Sequence, residues 1–401
     1  MNMKKMSLLV AIAGAYAAPG AMAQSTVQVY GKLYPYLEQE KGSGASAVGT
    51  PVSSLAAAAT GVNAVGSVKG MSAGNSYLGF KGKEDLGDGF KAIYQLEGVV
   101  LVDNGASAGY TFGRNTYVGL EGAFGDVRLG NMDTIFKEYG DTLGIMGISS
   151  GTPVSSSNIL RKPGFGTSSA ARFHERRGNA VRYETREFAG LQLGAMWATQ
   201  ENPTANIGAA TTTSIGIKYD AGPFFASLAY EVHNNFFGGS SQAPSAQRNN
   251  GAADKVTSKD TAMQATFEWR LSKEHKFEFD VINKKYSEAA IVNGRFVGYK
   301  NTAYMVAYDG RLSDQWRVMA HIVKSGAGSC ERLNAVCTTT GLEGGQVTVG
   351  LSYNLSKRSF LYGAYNKVSN GAAARFSSAD FGSPTPGEDI THLMLGISHT
   401  F

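Results

Sequence analysis

The feature that most constrains the fold of this chain is a series of short segments in which apolar and polar residues alternate one by one. Such segments occur at 27–38, 214–219, 276–281 and 346–353. In 276–281, for example, three apolar residues alternate with three charged ones, namely Phe277, Phe279 and Val281 with Lys276, Glu278 and Asp280. Because successive side chains of a strand point to opposite faces, each segment predicts a β-strand with one apolar and one polar face. No helix-period segment of useful length follows Gln24, so an all-β fold is predicted.

The connections between these segments alternate in length. Short ones fall at 84–89, 121–125, 187–190, 220–222, 271–275, 309–314 and 354–359. Long polar ones fall near 39–74, 102–111, 131–175, 200–210, 234–260, 286–299, 325–343 and 370–387. Tight turns at one end and long loops at the other are typical of a transmembrane antiparallel up-and-down β-barrel of an outer membrane. Counting the segments predicts about sixteen strands, each near the roughly nine to eleven residues that cross a bilayer.

A soluble β-sandwich would also have alternating strands, so other features must separate the two folds. Aromatic rings at strand ends suit the two headgroup regions of a membrane, and they occur here as Tyr183, Tyr219, Tyr230, Trp269, Tyr308, Tyr353, Phe360 and Tyr362. The last strand is also informative, because Leu393, Leu395, Ile397 and His399 share one face with the final residue, Phe401. A barrel in lipid can leave no edge unpaired, so we expect 24–38 to pair with 389–401.

The segment 131–175 lacks strand alternation although both of its flanks alternate. Its apolar residues are too many for a solvated tether, and they are Ile135, Phe136, Tyr139, Leu143, Ile145, Met146, Ile148, Ile159, Leu160 and Phe165. A structureless segment of this length in a compact domain normally has a function. We therefore predict that 131–175 is a constriction loop that folds back into the barrel and narrows it.

The N-terminus has the pattern of a secretory signal peptide. Lys4 and Lys5 precede a short apolar run, and Ala21-Met22-Ala23 is a small-residue cleavage site before Gln24. The run is too short for a helical membrane anchor. We therefore predict a signal peptide at 1–23 and a mature barrel at 24–401. Loss of the two lysines lowers the formal charge from +5 to +3, so we expect no nucleic-acid partner.

Cys330 and Cys337 are the only two cysteines, and both lie in a stretch rich in Gly, Ser and Thr. An exported chain reaches an oxidising compartment, so one disulfide that closes a loop is predicted, with two free thiols as the alternative. The pair lacks the further ligands of a zinc site. Acidic loop residues do not have the spacing of a calcium site either. We expect neither a metal nor a cofactor.

Several motifs resemble those of the general diffusion porins of Gram-negative bacteria, and are closest to the betaproteobacterial group. The motifs are Val29-Tyr-Gly-Lys-Leu33, Tyr77-Leu-Gly-Phe-Lys-Gly-Lys-Glu-Asp-Leu-Gly-Asp-Gly-Phe-Lys-Ala-Ile-Tyr-Gln-Leu-Glu97, Tyr117-Val-Gly-Leu-Glu-Gly-Ala-Phe-Gly125, Arg176-Arg-Gly-Asn-Ala-Val-Arg-Tyr183 and Leu395-Gly-Ile-Ser-His-Thr-Phe401. The resemblance implies a homotrimer of sixteen-stranded barrels in the outer membrane, in contact with lipid and lipopolysaccharide. It also implies a water-filled pore for small hydrophilic solutes and ions, with the third long loop folded inward.

Charged residues off the apolar face of a membrane strand must point into the lumen, because a cation on the lipid face at mid-membrane costs about 2–4 kcal/mol. This rule places the following residues inside: Lys32, Lys81, Lys91, Gln95, Glu97, Arg114, Arg176 and Arg182. The resemblance implies a cluster of arginines on the constriction wall, two of which match Arg114 and Arg176. Tyr77 and Asn131 stand at two wall positions that are usually basic, so only a weak to moderate anion preference is expected.

The constriction loop has acids that could face those arginines across the pore, namely Asp133, Glu138 and Asp141, and it also has the basic residues Lys137, Arg161 and Lys162. Opposed charges across a narrow channel would create a transverse field. Tyr77 and three further tyrosines, Tyr30, Tyr34 and Tyr36, are predicted to face the lumen. Rings beside arginines raise the alternative of a porin that favours small organic anions, for example aromatic carboxylates.

Two other classes of protein remain as alternatives. An outer-membrane hydrolase would need a nucleophile motif, and none of the six histidines lies in one, so we expect no enzyme activity. A plugged structural or adhesive barrel would use long loops such as 39–74 and 234–260 to bind other molecules, but their composition indicates no ligand. A plugged barrel would conduct no ions.

Overall fold

The computed structural model describes residues 26–105, 111–140, 143–144, 151–166, 169–201 and 207–401. Its strand segments are β1 (Thr26–Leu33), β2 (Tyr36–Ser43), β3 (Ser67–Ser72), β4 (Tyr77–Gly87), β5 (Phe90–Val99), β6 (Thr116–Gly122), β7 (Gly125–Asp133), β8 (Arg176–Glu184), β9 (Leu191–Thr199), β10 (Thr211–Ala221), β11 (Phe224–Asn234), β12 (Lys259–Arg270), β13 (His275–Ser287), β14 (Phe296–Arg311), β15 (Trp316–Ser325), β16 (Ser329–Arg332), β17 (Gly344–Asn354), β18 (Ser359–Asn370) and β19 (Asp389–Thr400).

These segments form sixteen spanning strands. β1 and β2 are the two halves of one spanning strand, interrupted at Tyr34 and Pro35. β3 and β4 are likewise the two halves of the next strand, interrupted at residues 73–76. The halves match, because β1 pairs with β4 and β2 pairs with β3. β16 is a short strand within a loop, and among the described strands it pairs with the loop end of β14. The segments pair antiparallel in chain order to form one closed sheet. The predicted transmembrane antiparallel up-and-down barrel is confirmed.

The barrel closes where the two ends of the chain meet. Lys32 lies opposite Thr400, and β2 continues the pairing along β19. The backbone of Gly31 exchanges hydrogen bonds of 3.2 and 3.1 Å with that of Phe401. The predicted pairing of the first and last strands is therefore confirmed, and the final residue completes the seam.

The barrel is apolar outside and polar inside, which is the reverse of a soluble protein. On β19, Leu393 and Leu395 are 62% and 65% exposed, whereas Met394 between them is 2% exposed. On β13, Phe279 and Val281 are exposed while Glu278 and Asp280 are buried. A soluble sandwich would bury the apolar face, so this arrangement excludes that alternative.

Within the residues that the structure describes, helical structure is confined to the loops. The helices are α1 (Ile135–Tyr139), α2 (Ser157–Leu160) and α3 (Gly251–Asp254), and 3-10 turns occur at Ser169–Ala171, Ser240–Gln242 and Ser245–Gln247. Among the described residues, no helix is long and apolar enough to cross a membrane.

Several predicted boundaries and orientations were wrong. The predicted long connection 39–74 includes the end of β2 and all of β3, so the loop itself is 44–66. The constriction loop was predicted from 131, but β7 continues to Asp133, so the observed inner loop is 134–175. Tyr362 was assigned to a headgroup region, yet it points inward and stacks on Tyr34 with ring centroids 4.5 Å apart. The predicted signal peptide lies outside the described residues.

The largest buried cluster lies inside the barrel, between the inner loop and the wall. Phe136, Leu143, Ile159, Leu160, Phe165 and Phe173 of the loop pack on wall residues Ala229, Ala262, Ile282, Tyr286, Phe296 and Met305. The loop therefore buries its apolar residues against β11–β15, as its composition predicted. Ile145, Met146 and Ile148 lie outside the described residues. Filling one side of the barrel leaves the opposite wall as the side where solute can pass.

Candidate functional site

Helix α1 begins the inner loop and lies flat against the wall. Thr134 caps the helix, since its hydroxyl accepts a hydrogen bond of 3.2 Å from the backbone N–H of Lys137. Ile135 and Tyr139 face Gly194 of β9 and Gly216 of β10. A Cβ at Gly194 would lie 2.6 Å from the Ile135 Cδ1, and one at Gly216 would lie 2.9 Å from its Cγ2. Glycine at these two wall positions allows α1 to approach the sheet closely.

Hydrogen bonds fix the same helix to three wall strands. The Phe136 N–H donates to the Ser214 Oγ at 2.9 Å, and the Ser227 Oγ donates to the Tyr139 carbonyl at 2.6 Å. The Tyr139 hydroxyl donates to the Glu184 Oε1 at 3.0 Å. The loop backbone is thus bound to the wall rather than free in the lumen.

Arg161, predicted as a basic residue of the constriction, is a buried wall contact. Its Nε donates to the Gln264 Oε1 at 3.0 Å, and its guanidinium also donates to the Gly140 carbonyl. From the wall, the Lys284 Nζ donates to the Leu160 carbonyl at 2.7 Å. Arg161 therefore joins two parts of the inner loop to β12, and its side chain does not line the cavities described next.

Two adjoining cavities lie on the open side of the inner loop. The outer cavity, of about 650 Å³, lies between the inner loop and the last loop, residues 371–388. The inner cavity, of about 300 Å³, lies between α1 and strands β5–β8. Lys137 lines both cavities, so the two adjoin at that residue. We call the two cavities together the passage.

The described lining of the passage has more cations than carboxylates. Six cationic side chains line it: Arg128, Lys137, Lys162, Arg172, Arg176 and Arg182. Four carboxylates line it: Asp133, Glu138, Glu175 and Asp380. Burial, aided by nearby Arg172, lowers the pKa of Lys162 to about 7. Burial and the nearby cations hold the pKa of His174 well below its usual range, so this imidazole is neutral at neutral pH.

Arg182 joins α1 to the wall of the inner cavity. Its guanidinium lies 2.7 Å from the Glu138 Oε2 and 2.7 Å from the Glu184 Oε2, and it donates to the Asp133 carbonyl at 2.9 Å. Its side chain is 2% exposed. Arg182, predicted on the wall, and Glu138, predicted on the constriction loop, are therefore in direct contact.

Asp133 accepts two cations at the end of β7. The Lys137 Nζ lies 2.7 Å from its Oδ1, and Arg176 lies 3.0 Å from the same oxygen. Asn115 also donates to its Oδ2 at 3.0 Å. Asp133 therefore contacts Arg176 directly as a neighbour on the wall, not across an opening as predicted. Asp141 lies outside the described residues.

Arg114 does not face the acids of the inner loop. Its guanidinium bonds to Glu97 on the neighbouring strand, donates to the Asn75 Oδ1 at 2.8 Å and lies 4.7 Å from the Tyr77 ring centroid. The Lys81 Nζ likewise forms a cation–π contact, 4.8 Å from the centroid of the Tyr30 ring. These residues do lie on the inner face as predicted. Arg114 is neutralised locally, however, and it is absent from the described lining of the passage.

Lys32 and two of the four tyrosines predicted for the lumen point inward but are buried. Lys32 lies 4.5 Å from the Tyr34 ring centroid, and both residues are covered. Tyr36 is also buried, and its hydroxyl bonds to Asp380. A solute in the passage cannot reach the Tyr34 or Tyr36 ring, which weakens the case for an aromatic-anion site.

Cys330 and Cys337 are joined by a disulfide with a Cα–Cα distance of 5.7 Å. The bond closes a short loop around β16, on the side of the barrel filled by the inner loop. The predicted pairing agrees with the structure. Neither cysteine lines the passage.

The sequence analysis did not identify four cations of the passage as site residues. Arg128 alternates with Val127 and Leu129, so the same inward-facing rule could have found it. Lys137 and Lys162 were named only as basic loop residues, and Arg172 was not named. These three lie in a segment without periodicity, and no pattern indicated where their side chains point.

Comparisons with known proteins agree with this architecture. Residues 8–373 match the family described as Gram-negative porin. Outer membrane porin protein 32 of Delftia acidovorans is 27% identical over 415 aligned residues, which cover 98% of this chain and 99% of that protein. Major outer membrane protein P.IB of Neisseria lactamica is 34% identical over 154 residues, or 38% of this chain and 41% of that protein.

Two solved structures are similar in fold. The anion-selective porin from Comamonas acidovorans has a TM-score of 0.69 at 21% identity and covers 94% of this chain and 100% of its own. The trimer form of OmpT from Vibrio cholerae has a TM-score of 0.61 at 13% identity and covers 94% of this chain and 99% of its own.

Proposed function

Because the chain belongs to the Gram-negative porin family, we propose that its channel admits small anions more readily than small cations. The protein is an outer-membrane channel for passive diffusion of small hydrophilic solutes and ions. The ionic preference of this channel depends on the charges that solutes meet in the passage. The solved porin from Comamonas acidovorans is described as anion-selective, and this similarity supports the same direction here.

The observation that carries the proposal is the excess of cations in the passage, where six cationic side chains face four carboxylates. An ion in a narrow pore lies within a few ångströms of such groups. One unit charge at about 5 Å in water changes the energy of a monovalent ion by about 0.8 kcal/mol. Each cationic charge that remains uncompensated at that distance would therefore favour an anion about fourfold at low salt.

Several of these charges are compensated locally, which keeps the preference moderate. Asp133 binds both Lys137 and Arg176. Glu138 binds Arg182, and Glu175 binds Arg172. Outside the passage lining, Asp126 pairs with Arg128 and Glu184 pairs with both Arg128 and Arg182. Glu97 likewise neutralises Arg114. Salt screens what remains, because the Debye length is about 10 Å at 0.1 M. We therefore expect the anion preference to be clearly smaller at about 1 M than at about 0.05 M salt, while the channel remains open.

The test is the reversal potential of single channels in a planar bilayer under a salt gradient. The variant Arg128→Gln with Arg172→Gln removes two passage cations, one from each cavity, and should abolish the anion preference. The control Lys285→Gln with Lys300→Gln removes the same charge from exposed residues on the outer face. It should leave the reversal potential unchanged.

An equal shift in both variants, or no shift in the passage variant, would refute the proposed filter. Folded protein that inserts but gives no conducting steps would favour the plugged or adhesive barrel. The family and the named relatives indicate a channel rather than an enzyme, and we propose no catalytic role for the histidines.

We also propose that the protein assembles as a homotrimer. A solved relative in a trimer form supports an oligomer. On the outer face, an apolar groove of about 930 Å³ includes Leu37, Val349 and Leu393, and a neighbouring subunit or lipid would cover it. Light scattering of detergent-solubilised protein, corrected for bound detergent, would give three chains if the proposal is right and one if it is wrong.

Lipopolysaccharide is a second proposed partner. Lys259, Lys285 and Lys300 line one outward-facing pocket at the loop end of β12–β14. Lys285 lies directly opposite Lys300, and like charges in that position repel. Phosphate groups of the outer leaflet would relieve this repulsion. Binding of purified lipopolysaccharide should weaken in Lys285→Gln with Lys300→Gln, and equal binding would contradict the proposal.

A further inference from the structure

Two glutamates and a histidine meet on the inner face where β2 pairs with β19. In this register, His392 lies opposite Glu40, and Met394 lies opposite Glu38. Glu40 and His392 are fully buried, and Glu38 is 5% exposed. Alternation along the two strands therefore directs all three polar side chains into one covered space beneath the last loop.

The side-chain atoms of this cluster are close together. The His392 Nδ1 lies 2.8 Å from the Glu38 Oε2 and 3.9 Å from the Glu40 Oε2. One nitrogen or oxygen atom of each residue lies within 4.8 Å of the others. On its other side, the His392 Nε2 lies 3.1 Å from the Ser378 Oγ of the last loop.

The cluster has more negative charge than its neighbours compensate. The Glu38 Oε1 and the Glu40 Oε1 are buried without a hydrogen-bond donor. Asp380 of the last loop lies against Glu38, close enough for the two carboxyl groups to hydrogen-bond if a proton lies between them. In the described part of the chain, no lysine or arginine forms an ion pair with these three acids. Burial of uncompensated carboxylates is costly, so such a group is expected to hold protons or a cation.

We propose that Glu38, Glu40 and His392 bind one first-row divalent cation, with Zn²⁺ as the reference ion. Two carboxylate oxygens and one imidazole nitrogen are donors that Zn²⁺ accepts, whereas Mg²⁺ and Ca²⁺ take oxygen ligands. Ligand atoms of a tetrahedral zinc lie about 3.4 Å apart, given bond lengths of about 2.1 Å. The observed separations of 2.8 and 3.9 Å lie on either side of that spacing. The Oε1 atoms of Glu38 and Glu40, which are buried without a hydrogen-bond donor, offer the ion further lone pairs.

Asp380 of the last loop lies between the three proposed ligands and the outer cavity. Asp380 and Ser378 both line the outer cavity, and both also contact the cluster, through Glu38 and His392 respectively. The backbone N–H groups of Asp380 and Phe381 already donate to the Glu40 Oε2 at 2.7 and 3.4 Å. A bound cation would therefore link the last loop to β2 and β19 at the mouth of the passage.

The test is isothermal titration of the folded full-length protein in detergent with zinc chloride. One equivalent of Zn²⁺ should bind, and binding should weaken at least about 100-fold in His392→Gln and in Glu40→Gln, because loss of an outer-shell partner alone costs about 10–100-fold. Magnesium and calcium chloride should bind far more weakly. X-ray absorption at the zinc edge should show one imidazole among oxygen ligands.

A matched control is the variant His233→Gln. The His233 Nε2 lies 2.9 Å from the Glu231 Oε1, and both residues are fully buried on the inner face, but Arg177 lies beside them and supplies a cation. Zinc binding should be unchanged in this variant.

Three results would each overturn the proposal. They are absence of zinc binding by folded wild-type protein, equal binding in His392→Gln, and binding that His233→Gln abolishes. If His392→Gln does not fold, the absorption spectrum of the wild type decides, since absence of imidazole ligation would exclude this site. The outcome is independent of the ionic preference of the channel.

Discussion

Arg182→Gln should lower the free energy of unfolding by about 3 kcal/mol. The Arg182 guanidinium contacts both Glu184, whose side chain is 4% exposed, and Glu138, which is 46% exposed. Loss of one partner from a buried ion pair costs about 3–5 kcal/mol, whereas exposed pairs contribute about 0.2–1 kcal/mol. The Glu184 contact therefore dominates. Arg128, 3.4 Å from Glu184, remains as a weaker partner, which places the expected loss at the lower end.

A double-mutant cycle separates the two contacts. Guanidinium titration of the protein in lipid vesicles, followed by tryptophan fluorescence, gives the free energy of unfolding. We expect a coupling energy of about 2–3 kcal/mol between Arg182→Gln and Glu184→Gln, and less than about 1 kcal/mol between Arg182→Gln and Glu138→Gln. The control Arg186→Gln removes an exposed arginine and should cost less than about 1 kcal/mol. Equal coupling energies, or a larger one for Glu138, would refute this reasoning.

Three further predictions concern the inner loop, the passage and the seam. Gly194→Val should push Ile135 away from the wall, cost about 1–3 kcal/mol and increase single-channel noise; unchanged recordings would contradict the close approach of α1. Since burial lowers the pKa of Lys162 to about 7 and raises the pKa of Asp380 to about 6, Lys162 gains positive charge and Asp380 loses negative charge as pH falls from 8 to 6, so anion preference measured by reversal potential should rise, and Lys162→Met should remove the part of that rise centred near pH 7. Deletion of Phe401 should remove two backbone hydrogen bonds to Gly31, cost about 2 kcal/mol and reduce the heat-modifiable folded fraction on gels; an unchanged fraction would show that the seam closes without it.

The sequence alone was sufficient to predict the architecture because a lipid bilayer permits few arrangements of the backbone. A spanning strand must alternate and must pair on both edges, so periodicity and connection length together predicted the barrel and its closure. The same signal failed where strands extend beyond the apolar region. Residues 39–43 and 67–72 are strand, yet their outward face is not consistently apolar, and they were assigned to a loop. The location of Tyr362 was predicted wrongly because its position near a strand end does not show whether the ring points into the barrel or outward to the headgroup region.

The site was predictable only in part. Alternation along a strand gave the inward direction of Arg114 and Arg182, but it could not give their partners, which depend on the register between strands. Glu97 therefore went unrecognised as the partner of Arg114. The path of the inner loop has no period at all, so the burial of Arg161 and the exposure of Arg172 to the outer cavity required the structure. The carboxylate cluster with His392 joins residues more than 350 positions apart and was equally inaccessible.

The most direct test of the central claim asks on which side of the inner loop ions pass. Gln95→Cys places a thiol in the lining of the inner cavity, and Ala262→Cys places one behind the loop; the native Cys330 and Cys337 are bonded and do not react. In single-channel recordings, a charged methanethiosulfonate reagent should reduce the current of Gln95→Cys and leave Ala262→Cys unchanged. A block at Ala262→Cys without one at Gln95→Cys would place the passage on the opposite side and contradict this account.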